Sequence, residues 1–336
     1  MSRFLCALLP LMLLLAACSG GSKGQEVQIN LDSVGTPVDG TLKVALLTPG
    51  TVNDSGWSAI AYSGLKAIES ELGAEVNHQV TKDAGIKDAM RGYAQEGYHL
   101  VIGHGYEYNG PAAEIGDQFP KTTFVSSSGG LTKPNVGAFR FYLEEGFYLA
   151  GMLAAKMTKT GRVGMIGGPD VPSIRSTFKA FAAGAESVNP SIVVIEKFTG
   201  KNDDVALAKQ ATLQAINEGA DVLIHQVNNA FPGFFSACEE RKAWSFGANE
   251  NQNDVSTSVL ASAVIRADKV FVDLATKVKE GRYRGGINLV GMEAEAIDFV
   301  LNAKNSSAIP ADAKALINGR QLDMVAGLFK TPKDDF

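Results

Sequence analysis

Residues 41–73 read TLKVALLTPGTVNDSGWSAIAYSGLKAIESELG. The apolar run at 42–47 predicts a buried strand, and apolar residues at helical spacing from 57 to 72 predict a helix that ends at Gly73. Strand-like and helix-like segments alternate in the same way as far as residue 291. Because helices cover both faces of apolar parallel strands, this alternation predicts an α/β protein built on parallel sheets.

The number of strand–helix units bears on the domain organisation. The chain has 336 residues, and about ten strand-like segments are more than one open sheet usually holds. We therefore expect two α/β lobes of similar size. The first would comprise residues 41–142 and about 262–285, and the second residues 143–261 and about 286–336, with a join near 142–161 and a recrossing near 249–262.

The first 18 residues predict export from the cytoplasm. The apolar run at 4–15 is too short to span a bilayer, which needs ~20 apolar residues, so residues 1–17 are interpreted as a signal peptide. Leu15-Ala16-Ala17-Cys18 resembles a lipobox, in which Cys18 would receive a diacylglycerol and anchor the protein to a membrane of the cell envelope. Residues 18–40 would then be a lipidated, flexible tether. An ordinary signal peptide or a buried N-terminal segment is the alternative.

Composition and motifs exclude several function classes. The 31 Lys and Arg residues are interspersed with 36 Asp and Glu, so no basic patch predicts a nucleic-acid partner. Neither a G-x-S-x-G elbow nor a G-x-x-x-x-G-K-[ST] phosphate loop is present, and the four histidines lack metal-ligand spacing. Cys238 is the one cysteine beyond residue 18 and cannot form an intramolecular disulfide. We expect neither catalysis nor a cofactor nor a metal.

Polar and aromatic residues follow the predicted strands in both halves. Ligands bind beyond the carboxyl ends of parallel strands, so these residues are candidates for a shared cleft. They are Asn53, Asp54, Trp57 and Tyr106 in the first half, and Asn228, Asn229 and Asn249 in the second. Turns and helix N-caps favour the same polar residue types, which is the alternative for each single loop.

Two other features near these loops have alternative interpretations. His104 lies at a strand end, where it would either face the cleft or support the structure. Glu144-Glu145 opens an alanine-rich helix, and acidic residues there suit the positive end of the helix dipole better than they suggest paired catalytic carboxylates.

Seven stretches, in the same order along the chain, carry a family resemblance. They are VNDSGWS at 52–58, EEGFYLAG at 144–151, GMIGG at 164–168, PSIR at 172–175, FAAG at 181–184, GADV at 219–222 and VLAS at 259–262. At these stretches the chain resembles the basic membrane protein family of ABC-transporter substrate-binding lipoproteins, the purine-nucleoside-receptor-like group. The resemblance implies a type I periplasmic-binding fold, in which two hinged lobes enclose a small ligand. It also implies a monomer that docks on an ABC permease with its ATPase.

The resemblance further implies a ligand site with an aromatic ring from each lobe. Trp57 and Phe181 would sandwich a purine ring. The chain departs from the family at Pro49 and Asn249, where the family commonly has Asp, and at Ile265, where it has a ligand-contacting Lys. A nucleobase or another small neutral heterocycle therefore fits at least as well as a ribonucleoside. The alternatives are a ligand sensor feeding a membrane receptor, a non-purine solute, and a surface-exposed α/β enzyme.

Overall fold

Two six-stranded sheets organise residues 35–53 and 56–334, the part of the chain that the computed structural model describes. The strands are β1 (Lys43–Thr48), β2 (Glu75–Val80), β3 (Leu100–Gly103), β4 (Thr123–Ser127), β5 (Val136–Phe141), β6 (Arg162–Gly167), β7 (Val193–Phe198), β8 (Val222–Gln226), β9 (Trp244–Asn249), β10 (Val259–Ile265), β11 (Ile287–Val290) and β12 (Ile297–Leu301). The helices are α1 (Trp57–Leu72), α2 (Gly85–Gln95), α3 (Asn109–Ile115), α4 (Glu144–Met157), α5 (Pro172–Val188), α6 (Val205–Asn217), α7 (Phe231–Arg241), α8 (Ala267–Lys279) and α9 (Ala311–Val325). Within the two described ranges, none of these helices combines the length and apolar character needed to cross a membrane.

The two sheets have matching strand orders. The first runs β11-β5-β4-β3-β1-β2 and the second β12-β10-β9-β8-β6-β7. All pairings are parallel except that β12 runs antiparallel to β10. The central strands are buried along nearly their whole length, as their unbroken apolar sequences predict. The prediction of two α/β lobes with parallel sheets covered by helices is confirmed.

Glycines let the covering helices pack closely. A Cβ at Gly64 of α1 would lie 2.8 Å from the Phe271 ring of α8, and α1 and α8 pack together on the first sheet. In the second lobe a Cβ at Gly151 of α4 would lie 2.0 Å from the Phe181 carbonyl oxygen of α5, and one at Gly184 would lie 2.1 Å from the Tyr148 carbonyl oxygen. The α4–α5 contact is therefore closer than larger residues at these positions would allow.

The chain passes between the lobes at three places. It leaves the first sheet after β5 and enters α4, returns between β10 and α8, and leaves again between β11 and β12. Tyr142, Arg266 and Gly291 lie in these three connections, which we call the hinge. The cleft between the lobes lies at the carboxyl ends of the parallel strands of both sheets.

The structure differs from the expected lobe boundaries at two strands. Residues 262–265, expected in the first lobe, are the end of β10, which is buried in the second sheet. Residues 287–290, expected in the second lobe, form β11 and pair with β5 at the edge of the first sheet. Local sequence predicts that a segment is a strand, but its sheet is decided by pairing with residues far along the chain.

Candidate functional site

A cleft of about 840 Å³ separates the lobes and is lined by residues from both. This volume is in the range of small-molecule binding sites. The first lobe contributes the ends of β1, β3, β4 and β5 with the start of α1. The second contributes the ends of β6 to β10 with the starts of α4 and α5. A molecule held here would contact both lobes at once.

Trp57 presents a fixed aromatic surface on the first-lobe side of the cleft. Its ring stacks on the His104 ring, with centroids 3.9 Å apart and planes 27° apart. Its Nε1–H donates to the His104 carbonyl oxygen at 3.2 Å, and the Phe141 ring meets it edge-on at 6.3 Å. These contacts hold the indole plane before any ligand arrives, which is the preorganisation that favours stacking of a flat ligand.

His104 supports this surface from below and does not line the cleft. The side chain is completely buried, and its Nδ1 lies 3.1 Å from the Ser127 hydroxyl, which does line the cleft. Burial lowers the pKa of His104 to about 3, so the imidazole is neutral at physiological pH. Of the two roles left open by the sequence, the structure places His104 in the supporting one.

Amide side chains dominate the second-lobe side. Gln226, Asn228, Asn229 and Asn249 all line the cleft at the ends of β8 and β9. Asn228 and Asn249 have left-handed backbone conformations, with φ of 43° and 70°. Asparagine tolerates this region better than most residues, and such conformations cluster at ligand sites. Amides can both donate and accept hydrogen bonds, unlike carboxylates.

Phe181 does not lie in the cleft, contrary to the site implied by the resemblance. Its side chain is fully buried in the core of the second lobe, where α5 packs against α4. The residues of α5 that reach the cleft are Ile174 and Thr177, near its N-terminus. Phe181 is four positions beyond Thr177, which places it about 6 Å further along the helix axis at 1.5 Å per residue. Among the described lining residues, all three aromatic rings, Trp57, Tyr106 and Phe141, belong to the first lobe.

The other expected site residues are distributed as follows. Tyr106 lines the cleft at its rim and is 75% exposed. Asn53 is exposed and is not part of the cleft lining. Asp54 and Cys18 lie outside the described residues, as do the predicted signal peptide at 1–17 and most of the predicted tether. Pro49 and Ile265, the two other positions of departure from the family, both line the cleft.

The cleft floor carries a buried ion pair that the sequence analysis missed. Arg140 at the end of β5 donates from Nη1 to Glu144 Oε1 at 3.0 Å, and the Ser176 hydroxyl donates to the same oxygen at 2.5 Å. Glu144 is 2% exposed. Desolvation raises the pKa of Glu144, opposed by Arg140 and Ser176. The pair bridges the first crossing between the lobes. The signal was an Arg four residues before an acid at a strand–helix junction, which helix periodicity does not highlight.

Glu145 has a different role, beside the third crossing. Its Oε2 accepts the Met292 N–H at 2.6 Å, and a Cβ at Gly291 would lie 2.4 Å from the same oxygen. Burial raises the pKa of Glu145 to about 7, with smaller contributions from the charges of Glu144 and Glu293. The sequence interpretation invoked the helix dipole for this acid, but its burial against the hinge dominates. In the described ranges no three His, Cys, Asp or Glu side chains come together as a metal site.

Known proteins resemble this chain over most of its length. Residues 41–322 match a family model described as ABC transporter substrate-binding protein PnrA-like. Transcriptional activator protein med of Bacillus subtilis (strain 168) is 30% identical over 272 residues, covering 79% of this chain and 84% of that protein. ABC transporter nucleoside-binding protein BmpA of Lactococcus lactis subsp. cremoris (strain MG1363) is 28% identical over 317 residues, covering 87% and 89%. A solute-binding protein of an ABC transporter system from Aeropyrum pernix K1 has the same fold, with a TM-score of 0.74 at 21% identity over 87% of this chain and 94% of that one.

Proposed function

The chain belongs to the PnrA-like family of ABC transporter substrate-binding proteins, and we propose that its ligand is a neutral purine-type solute, a nucleoside or nucleobase, which the two lobes enclose. As a member of this family it is a solute-binding protein and not an enzyme. Its partners are a small-molecule ligand and the permease and ATPase of an ABC transporter. Closure would present the loaded protein to the permease, and no covalent step is involved.

The observation that carries the proposal is that the fixed Trp57 ring of the first lobe and four amide side chains at the ends of β8 and β9 in the second lobe line the same cleft. A flat heterocycle stacked on this indole would gain about 0.5–1.5 kcal/mol beyond the burial of its area. Its edge would meet Asn229 and Asn249, which can satisfy both the donors and the acceptors of a base. The Lactococcus relative named as nucleoside-binding supports the same ligand class.

The charges of the cleft favour a neutral ligand. The described lining contains three basic and three acidic side chains, which are Lys82, Arg140, Lys201, Glu107, Glu144 and Asp203. Arg140 and Glu144 neutralise each other on the floor. A charged ligand would need a partner of opposite sign to offset the loss of its hydration. Asn249 and Ile265 replace charged residues of the family pattern and therefore also favour a neutral ligand. With these charges absent, a nucleobase fits the cleft as well as a nucleoside does.

The ligand assignment can be tested directly. We expect denaturation of the purified full-length protein to release a purine base or nucleoside, which mass spectrometry should identify as unaltered. Titration calorimetry on ligand-stripped protein should then give tight binding of adenosine, guanosine, inosine or hypoxanthine, and weak binding of uridine and glucose. Tight binding of a non-purine with none of the four purines would contradict the proposal. Conversion of the ligand to a product would contradict the binding role.

We also propose that Cys18 carries a lipid anchor, as the lipobox-like sequence at 15–18 indicates. Metabolic labelling with palmitate should mark the wild-type chain and leave Cys18→Ser unlabelled, and the variant should be released from membranes. The control is Cys238→Ser, because Cys238 is fully buried in the second lobe and should not affect labelling. Equal labelling of the wild type and Cys18→Ser would contradict the anchor.

The Bacillus relative named as a transcriptional activator supports a second candidate, a ligand sensor that controls gene expression through a membrane receptor. Both roles share every binding residue, so binding measurements do not separate them. Deletion of the gene should abolish uptake of a radiolabelled purine if the protein is a transport component. Intact uptake with a lost transcriptional response to the same purine would favour the sensor.

A further inference from the structure

One side chain of the second lobe reaches across the cleft to the backbone of the first. The Asn228 Oδ1 accepts the Trp57 N–H at 3.1 Å, between residues 171 positions apart. Trp57 is the first residue of α1, where helical N–H groups lack intrahelical partners. Asn228 therefore caps α1 from the opposite lobe, a contact that exists only when the lobes are together.

Gly56 allows this contact to form. A Cβ at residue 56 would lie 1.9 Å from Asn228 Oδ1, 2.8 Å from Asn228 Cγ and 3.1 Å from Asn229 Oδ1. Carbon and oxygen atoms do not approach to 1.9 Å without bonding, so a larger residue at position 56 would displace the Asn228 side chain from this position. The backbone of the first lobe and the amides of the second are thus in direct van der Waals contact.

The backbone of Asn228 is held in an uncommon conformation to make the contact. Its φ of 43° lies in the left-handed region, directly after β8 and at the start of the short 3₁₀ helix Asn228–Ala230. Asparagine is among the residues that tolerate this region best, and such conformations cluster at functional sites. The uncommon backbone conformation and the hydrogen bond to the other lobe together indicate a role beyond that of a turn.

We propose that Asn228 is a positioning residue, which latches the second lobe to the N-terminus of α1 and thereby sets the position of the second lobe relative to the Trp57 ring in the closed form. The Asn228 Oδ1 accepts a hydrogen bond from the protein and not from the ligand, so part of the closure free energy comes from a contact between the lobes. The proposal rests on the proposed function only for the stacking of a solute on the Trp57 ring; the contact between the lobes does not depend on the ligand.

A latch of this kind has a thermodynamic signature that a ligand contact lacks. A contact made only in the closed form multiplies the closed-to-open ratio by one factor, whatever ligand is bound. Removing it should weaken the binding of every ligand by the same factor, about 3- to 10-fold for one neutral hydrogen bond. Removing a residue that contacts the ligand should instead weaken the binding of each ligand by a different factor, which depends on the ligand atoms that the residue contacts.

The test uses the full chain labelled with 5-fluorotryptophan, which gives two ¹⁹F signals because the chain has two tryptophans. Trp57 reports on the latch, and Trp244, at the other end of β9 from the cleft, is the internal reference. The variants are Asn228→Gly, which removes the acceptor and tolerates the left-handed backbone conformation, and Asn228→Asp, which keeps an acceptor oxygen. Gly56→Ala blocks the contact sterically, and Asn229→Ala removes a neighbouring amide of the second lobe as the matched control.

We expect Asn228→Gly and Gly56→Ala to move the Trp57 signal of the ligand-free protein away from its position in the ligand-free wild type, with the Trp244 signal unchanged. Asn228→Gly should weaken the binding of adenosine, inosine, guanosine and hypoxanthine by one common factor. Asn228→Asp should retain the wild-type Trp57 signal. Asn229→Ala should weaken the binding of the four ligands by unequal factors. Unequal losses for Asn228→Gly, or an unchanged Trp57 signal in both Asn228→Gly and Gly56→Ala, would overturn the latch. If the wild type binds none of the four purines, the ligand proposal fails, while the ligand-free signals still decide the latch.

Discussion

Replacing Glu145 by Gln should stabilise the protein, by an amount that grows as the pH rises from about 4.5 to about 7 and is constant above that. The Glu145 side chain is 5% exposed and lies against the third crossing between the lobes, where its Oε2 accepts the Met292 N–H. A glutamine has nearly the same shape and keeps a carbonyl oxygen to accept this bond. The substitution therefore removes a buried charge without removing the hydrogen bond.

The magnitude follows from the shift in pKa. Burial raises the pKa of Glu145 from 4.5 to about 7, and each unit corresponds to 1.36 kcal/mol. Between these two values the folded protein binds more protons than the unfolded chain, so the free energy of unfolding falls as pH rises. At pH 8 the carboxylate destabilises the fold by about 3 kcal/mol relative to the protonated form. Glu145→Gln should recover this amount at pH 8 and almost none at pH 4.5.

Urea unfolding followed by circular dichroism at several pH values between 4.5 and 8 measures this difference. Glu186→Gln, on the exposed face of α5, is the control and should change stability little at any pH. A stability difference between Glu145→Gln and the wild type that does not grow from pH 4.5 to pH 8, or that has the opposite sign, would refute the assignment of a raised pKa to this carboxyl group.

Three further substitutions separate ligand contacts from packing contacts. Trp57→Ala should weaken ligand binding at least about tenfold in titration calorimetry while the protein stays folded; unchanged affinity would remove Trp57 from the site. Phe181→Ala should lower the free energy of unfolding by about 3–5 kcal/mol, because the ring is fully buried; a folded variant with lost affinity would return Phe181 to the site. Gly151→Ala should destabilise by about 1–3 kcal/mol through its clash with the Phe181 carbonyl oxygen, while Gly92→Ala, where a Cβ meets no atom within 4 Å, should not destabilise. Equal thermal denaturation midpoints for the two alanine variants would contradict the close α4–α5 packing.

The periodicity of the sequence was sufficient to predict the α/β class, because it depends on local patterns that each element carries by itself. Apolar strands such as β1 and amphipathic helices such as α1 are visible in a single window. The assignment of β10 and β11 to lobes was wrong because strand pairing depends on residues far apart: β11 joins β5, about 150 residues earlier.

The same difference between local patterns and long-range contacts explains which cleft residues could be predicted from the sequence. Residues at strand ends, such as Trp57, Asn228 and Asn249, could be placed near the cleft because the carboxyl ends of parallel strands meet at one edge. Phe181 was misplaced because the sequence does not show which turn of α5 reaches the cleft, and only the first turns do. Arg140 and Glu144 were missed because their pairing depends on how β5 turns into α4.

The three crossings between the lobes also determine the order in which the protein can fold as it is synthesised. The strands β6 to β10 of the second sheet follow one another without interruption from residue 162 to residue 265, so most of that sheet is available early. The first sheet begins at residue 43 but receives its last strand, β11, only at residues 287–290. Until then the β5 edge lacks its partner, and an open edge strand is a template for wrong pairing. The second sheet receives its last strand, β12, later still, at residues 297–301, so each sheet keeps one open edge until the end of the chain is made. A chain cut short before residue 287 would leave the β5 edge and the β10 edge both uncovered.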